Sequence, residues 1–145
     1  MIMKFYVPGI PVEKRIQARV MSSKSGKSFV SFYNPKLREQ DAVRFLLRRT
    51  IYDNSQIGYG IYNTPIELKL LFNMPIPKSY TKKKLVQIAN GALQHVKRPD
   101  LANLVKFIED CLVGMVMIDD RQVTNITAKK QYAIDPGTVI IVETL

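Results

Sequence analysis

Apolar residues recur at intervals of three and four positions in three stretches of the chain, and this spacing predicts three helices. The most regular stretch begins after Asp100 and ends at Gly114. An earlier, longer helix has Asn34 and Pro35 as its predicted N-cap and first-turn proline. A short helix lies between them, with Thr81 as its predicted N-cap.

Runs rich in β-branched and aromatic residues predict the strands. These strands are MKFYVPGIP up to its Pro/Gly turn, SFVSFY, PIELKLLFNMP, and residues 115–118, 123–132 and 138–144. The polar segment 13–27, which contains SKSGKS, predicts a flexible basic loop. Strands interleaved with three helices and a closing antiparallel pair predict one α+β domain over residues 1–145, with one mixed sheet packed with about three helices.

The excess of basic residues suggests that the chain binds a polyanion. The chain has 22 Lys and Arg against 12 Asp and Glu, a formal net charge of +10. The excess comes mainly from two acid-free stretches, residues 14–38 and 69–98, with seven basic residues each. Clustered cations favour nucleic acid, because binding releases counterions from the phosphate backbone. A solvated surface of a basic protein is the alternative, and a membrane surface is not expected because no basic amphipathic helix with an aromatic face is present.

The chain shows neither a signal peptide nor a membrane span, so we expect a cytoplasmic protein. The lone Cys111 is predicted to be a buried reduced thiol. His95 has no companion at metal-ligand spacing, and we interpret it as a basic-loop histidine near phosphate. No Gly-rich phosphate loop, nucleophile elbow or zinc spacing occurs, which argues against kinases, α/β-hydrolases and zinc enzymes.

The carboxylates gather around the third predicted helix. Asp100 stands at its N-terminus, and Asp119 and Asp120 follow the next predicted strand, where folding could bring them beside the helix. Two or three acids facing a phosphate-binding surface are typical of a Mg²⁺ site, where Lys106 would neutralise a phosphate oxygen. The same residues also fit an N-cap, a turn and a surface ion pair of Lys106 with Asp110. The pattern alone favours the structural interpretation and leaves the metal site as the alternative.

The block around this helix is RPDLANLVKFIEDCLVGMVMIDDRQV, followed by Lys129 and Lys130. With VPGIPVEKRIQAR, YNPKLREQDAV and MPIPKSYTKKK, it resembles the RusA family of Holliday junction resolvases, phage and prophage endonucleases that cut four-way DNA junctions. The family pattern looks like proline, aspartate, an apolar residue, aspartate, asparagine, leucine, any residue and lysine, then a paired aspartate after the helix. The residues that match it are Asp100, Asn103, Leu104, Lys106, Asp119 and Asp120.

Position 102 departs from the family pattern, which has aspartate where this chain has Ala102. The substitution removes one of the acids that the resemblance implies for Mg²⁺. Either the chain is a deliberately inactivated nuclease, or it is a natural divergent member that has lost or rerouted catalysis. The intact neighbouring residues favour the first explanation.

The resemblance implies a Mg²⁺-dependent endonuclease, with Mn²⁺ as a possible substitute, that acts as a homodimer on a four-way junction. Asp100 and Asp120 are the expected metal ligands, and with Lys106 and Asp119 they form the expected catalytic set, beside Asn103. The expected DNA contacts are Lys14, Arg15, Arg19, Lys82, Lys83, Lys84, Lys97 and Arg98. The alternative is a non-catalytic junction- or DNA-binding protein, and a more distant one is a small RNA-binding protein.

Overall fold

The computed structural model describes residues 1–145. In chain order the elements are β1 (Ile2–Pro8), β2 (Gln17–Ser22), β3 (Ser28–Tyr33), α1 (Leu37–Asp53), β4 (Ile66–Pro75), α2 (Lys82–Ala89), α3 (Leu101–Leu112), β5 (Val123–Ala133) and β6 (Gly137–Thr144). Four of the strands form a sheet in the order β1-β6-β4-β5, in which β6 is antiparallel to β1 and β4, and β5 is parallel to β4. The predicted α+β class, with a mixed sheet and three helices, is confirmed.

The core lies between one face of this sheet and the helices α1 and α3. Along β4 the buried residues alternate, from Ile66 through Phe72 to Met74, because successive side chains of a strand point to opposite faces. The helix α3 turns Leu104 and Leu112 into the same core, where both are fully buried. The apolar spacing of α3 therefore fixes which of its sides remains polar and accessible. None of the three helices combines the length and the apolar composition that a membrane-spanning helix needs.

The prediction of a flexible loop over residues 13–27 is wrong, because residues 17–27 form the first strand and the turn of a β-hairpin. The strands β2 and β3 pair antiparallel as a separate sheet, and Ser23 N–H donates to the carbonyl of Lys27 across the turn at 2.8 Å. Ala18 stands opposite Phe32 in this pairing. Every residue of β2 is exposed, so its sequence shows no clear alternation of apolar and polar residues. Only the pairing with β3 identifies it as a strand.

Two further strand predictions are corrected. Residues 115–118 form no strand, since Met117 makes only isolated bridges with Tyr62 and Val113. The run is apolar because Met115, Val116 and Met117 are buried in a turn after α3. The strands β5 and β6 do not pair with each other either, because β4 lies between them.

The helix starts are predicted with unequal accuracy. The helix α2 begins after Thr81, whose side-chain oxygen accepts the N–H of Lys84, as expected. The helix α1 begins later than predicted, with Lys36 at the N-cap position. Asn34 instead closes a turn before the helix, where its Oδ1 accepts the N–H of Lys36 at 2.9 Å and its Nδ2 donates to Gln40.

Candidate active site

Lys106 is the centre of a charged cluster on the polar side of α3. Its ammonium nitrogen lies 2.5 Å from Asp120 Oδ2, 3.8 Å from Asp110 Oδ1 and 3.9 Å from Glu109 Oε2. Asp120 belongs to the turn after α3, so folding joins two segments that are separated by 14 positions. The structure thus brings the predicted pair Lys106 and Asp120 together.

The cluster shifts the protonation of its members. The hydrogen bond to Asp120 raises the pKa of Lys106, with further contributions from Glu109 and Asp110. Burial raises the pKa of Glu109, although Lys106 opposes that shift. The ammonium group of Lys106 therefore stays positively charged at neutral pH.

Asp119 has a different place from its neighbour Asp120. Its Oδ1 accepts the backbone N–H of Arg121 at 2.8 Å and the Nε–H of the same arginine at 2.9 Å. On the other side of the turn, the Oε1 atom of Gln122 accepts hydrogen bonds from the N–H groups of Ile118 and Asp119. These bonds form a capping box on a short 3₁₀ turn, and the hydrogen bond from Arg121 lowers the pKa of Asp119. Asp119 therefore supports the turn that presents Asp120.

Asp100 occupies the N-cap position of α3, yet its carboxylate caps nothing. The side chain is exposed, and it makes neither a hydrogen bond nor an ion pair. It lines an open cleft of about 290 Å³, whose other lining residues are Glu13, Lys14, Arg15, Arg98 and Asn103. A free carboxylate among cations, at the positive end of a helix, suits a site for a phosphate and a hard cation.

Lys14 links this cleft to the cluster around Lys106. Its backbone N–H donates to the carbonyl of Asn103 at 2.9 Å, and its Nζ lies 2.9 Å from Asp110 Oδ2. The segment that follows β1 is thereby held along the polar side of α3. The cleft and the cluster are consequently parts of one continuous charged surface.

Ala102 leaves a gap in this surface. It is exposed in the first turn of α3, one helical turn before Lys106, so a side chain there would neighbour Lys106. No three acidic, histidine or cysteine side chains lie close enough together to hold a metal ion. The predicted ligands Asp100 and Asp120 remain, and Lys106 already neutralises one of them. The donor set therefore contains one carboxylate fewer than the family resemblance implies.

The predicted DNA-binding residues fall into groups on different parts of the fold. Lys14, Arg15 and Arg98 border the cleft at Asp100. Lys84 and Lys97 lie over the ring of Tyr80, 4.5 and 5.5 Å from its centroid. The remaining residues are Arg19, which lies 5.1 Å from the ring of Tyr33 on the hairpin, and the exposed Lys82 and Lys83 at the start of α2.

The surface ion pair of Lys106 with Asp110, predicted from their spacing, is present. The sequence analysis assigns no role to Glu109, whose i,i+3 spacing from Lys106 is the signal for its contact. It also assigns no role to Lys130. Its Nζ donates to the carbonyls of Lys97 at 2.7 Å and Pro99 at 2.9 Å, which holds the segment directly before α3 against β5. No local pattern indicates that contact.

Comparison with known proteins gives two findings. The family model described as Endodeoxyribonuclease RusA matches residues 11–143. A protein of Bacillus subtilis (strain 168), the uncharacterized protein YqaN, is 30% identical over 84 residues. That match covers 57% of this chain and 59% of the relative, so the chain spans less than two thirds of the length of the curated relative it matches.

Proposed function

We propose that this chain, which belongs to the endodeoxyribonuclease RusA family, binds four-way DNA junctions in recombination or repair and cuts them poorly as it stands. The observation that carries the proposal is the unpaired Asp100 in a basic cleft continuous with the pair of Lys106 and Asp120. The four-way junction is proposed as the substrate because Holliday junction resolution is the activity of the family.

Binding rests on cations that are spread over the fold. The basic residues around Asp100, around Tyr80 and on the hairpin belong to separate elements, so a branched phosphate array reaches more of them than a straight duplex does. Phosphate contacts then supply affinity, and the shape of the junction supplies selectivity.

Strand cutting would use the acidic side of the same surface. Mg²⁺, or Mn²⁺ in its place, would activate water and neutralise charge on the phosphate when held between carboxylates. Lys106, whose pKa is raised by its hydrogen bond to Asp120, would stabilise the charge that develops on a phosphate oxygen. Because position 102 carries only a methyl group, the remaining ligands Asp100 and Asp120 hold a cation weakly, and cutting is slow.

A homodimer is part of this proposal, because symmetric cutting of two opposed strands requires two copies of the site. The hairpin supports it, since Ala18, Val20, Val30 and Phe32 share one face and are exposed, Val20 to 75% and Phe32 to 71%. Sedimentation at micromolar concentration should give about twice the chain mass of 16.6 kDa. A monomer that stays monomeric on DNA would contradict this part.

The deciding experiment compares a four-way junction with a linear duplex of equal length in an equilibrium binding assay. We expect the junction to bind more tightly, and we expect roughly a 10³-fold loss of affinity between about 50 and 200 mM salt if six or more phosphates are contacted. Equal affinity for the two DNAs would overturn the proposal.

The second candidate is a junction-binding protein without catalysis. It is favoured by Ala102 together with the contact of Lys106 to Asp120, which leaves only Asp100 as an unpaired acid on this side of α3. The two candidates differ in what happens when the missing carboxylate is restored. Cutting appears under the first candidate and remains absent under the second.

A further inference from the structure

A second cavity lies between the loop after α2 and the edge strand β5. It has a volume of about 130 Å³ and is separate from the cleft at Asp100. Its polar lining comes from Gln94, His95, Lys129 and Gln131, and its apolar lining comes mainly from Ile88, Leu93 and Tyr132. The chemistry described so far uses none of these side chains.

His95 is the buried polar group of this cavity. It is only 8% exposed, and its ring centroid lies 4.8 Å from that of Tyr132. The Nδ1 atom is buried without a hydrogen-bond partner. Buried polar atoms without a partner are rare in folded proteins. A ligand that hydrogen-bonds to Nδ1 would explain this one. Burial lowers the pKa of His95, and Lys130 and Lys97 lower it further, so the ring is neutral near pH 7.

The glutamines leave acceptors available at the same place. The Nε2 of Gln94 donates to the carbonyl of Gly91 at 2.8 Å, which fixes the amide orientation and leaves Oε1 without a donor. The Nε2 of Gln131 is likewise engaged, with Asn73 Oδ1 at 3.1 Å. A backbone phosphodiester carries no donor for such oxygens, whereas the edge of a nucleobase carries both donors and acceptors. Aromatic and aliphatic walls suit the faces of a base.

We propose that this cavity binds one unstacked nucleobase of the DNA, and that it prefers cytosine or adenine to thymine. The preference follows from Gln94, whose free oxygen accepts the exocyclic amino group of cytosine or adenine at the position where thymine has a carbonyl oxygen. The inference rests on the proposed function, because it assumes that DNA lies along α3.

The cavity is within reach of DNA at the cleft. His95 precedes Asp100 by five residues, which span at most about 18 Å, a distance of a few nucleotides. Lys130 holds the connecting segment through its bonds to the carbonyls of Lys97 and Pro99. Lys97, in that segment, lies beside Tyr80, whose hydroxyl is 3.0 Å from that of Tyr132. A strand whose phosphate lies at Asp100 can therefore place a neighbouring base in the cavity.

The test uses the fact that the chain has a single histidine. The imidazole C–H cross-peak in a carbon-13 NMR spectrum then reports this cavity alone. The chain is titrated with short single strands of cytosine only, adenine only and thymine only, and with inorganic phosphate. We expect the peak to move and saturate with cytosine and adenine, at roughly tenfold lower concentrations than with thymine, the discrimination that one hydrogen bond gives.

The variant Gln94→Leu should remove the preference while the protein stays folded, because the side chain is exposed. Gln56→Leu, an exposed glutamine outside the cavity, is the matched control and should keep it. An equal shift with all three strands, or a shift with phosphate, would overturn the proposal. An unmoved peak while fluorescence anisotropy shows the strands bound would overturn it too. Junction preference is measured separately, so its loss with the base-selective shift retained would reject the proposed function alone.

Discussion

The two ends of α3 differ in what satisfies their polar groups. At the C-terminal end, Arg44 Nη1 donates to the carbonyl of Val113 at 2.7 Å and lies 3.3 Å from that of Cys111. At the N-terminal end, the carboxylate of Asp100 has no partner and Ala102 is exposed. The last carbonyls of the helix are thus satisfied within the chain, whereas the first turn leaves its charge open to solvent.

From this difference we expect stability and DNA chemistry to depend on opposite ends of the helix. A cation at the C-terminus stabilises the carbonyls and the helix dipole, and Leu112 beside it is fully buried. The exposed positions at the start of the helix, Asp100, Ala102 and Asn103, gain little from packing, so changes there cost little folding energy. We therefore expect substitutions at the C-terminal end to change the free energy of unfolding, and those at the N-terminal end to change DNA chemistry.

The largest effect is expected from Ala102→Asp. The restored carboxylate adds a metal ligand beside Lys106, so Mg²⁺-dependent junction cutting should rise by roughly 10²- to 10³-fold. Junction affinity and unfolding free energy should change little, because one charge is added at an exposed site. Gel assays of cleaved junction, with Ala102→Asn as the isosteric control, measure the gain.

Within the Ala102→Asp background, Asp100→Asn, Asp120→Asn and Lys106→Ala should each abolish or severely reduce cutting. Under the proposed function, the two acids would act through the metal and the lysine would stabilise charge on the phosphate. Full cutting by the chain as it stands would mean that position 102 is not a ligand position. An inactive Ala102→Asp variant with intact DNA binding would leave the non-catalytic candidate.

Leu112→Ala is the counterpart at the other end of α3. The side chain is fully buried, so its truncation should lower the unfolding free energy by about 2–5 kcal/mol. Urea denaturation followed by circular dichroism measures the change. Leu145→Ala, at a 61% exposed leucine, should stay within about 0.5 kcal/mol. Equal costs for the two variants would remove the contrast between core and surface.

Arg44→Ala should have a smaller effect on stability. Its loss leaves carbonyls at the end of α3 without a donor, which costs about 1–3 kcal/mol. Arg48→Ala, one turn later on the exposed side of α1, is the matched control and should be nearly neutral. Amide exchange resolves the site of the change, since exchange should accelerate in the last turn of α3 and the residues that follow.

The smallest effect is expected at Cys111, whose thiol should resist alkylation in the folded protein. Burial raises its pKa to about 12, so the reactive thiolate is scarce at pH 8. Mass spectrometry after iodoacetamide treatment should show unmodified chain, with rapid modification in urea as the control. Rapid modification without denaturant would mean that the C-terminal half of α3 opens readily.

The sequence determined the elements whose signals are local. The bounds of α3, the alternation of β4 and the cap of α2 at Thr81 follow from contacts between residues a few positions apart, and a helix forms its hydrogen bonds within itself. The charge imbalance and the block around Asp100 likewise lie in the linear order of residues. These patterns carried the fold class and the family resemblance.

Only the tertiary structure decided what depends on distant partners. The backbone hydrogen bonds of a strand are made to a neighbouring strand that its own sequence does not specify. For this reason the sequence predicts neither the pairing of β2 with β3 nor the position of β4 between β5 and β6. Side chains meet across the fold in the same way. The adjacent aspartates therefore have different partners, since Asp119 caps its own turn and Asp120 contacts Lys106. In the same way His95, in a loop, is buried and lines a cavity.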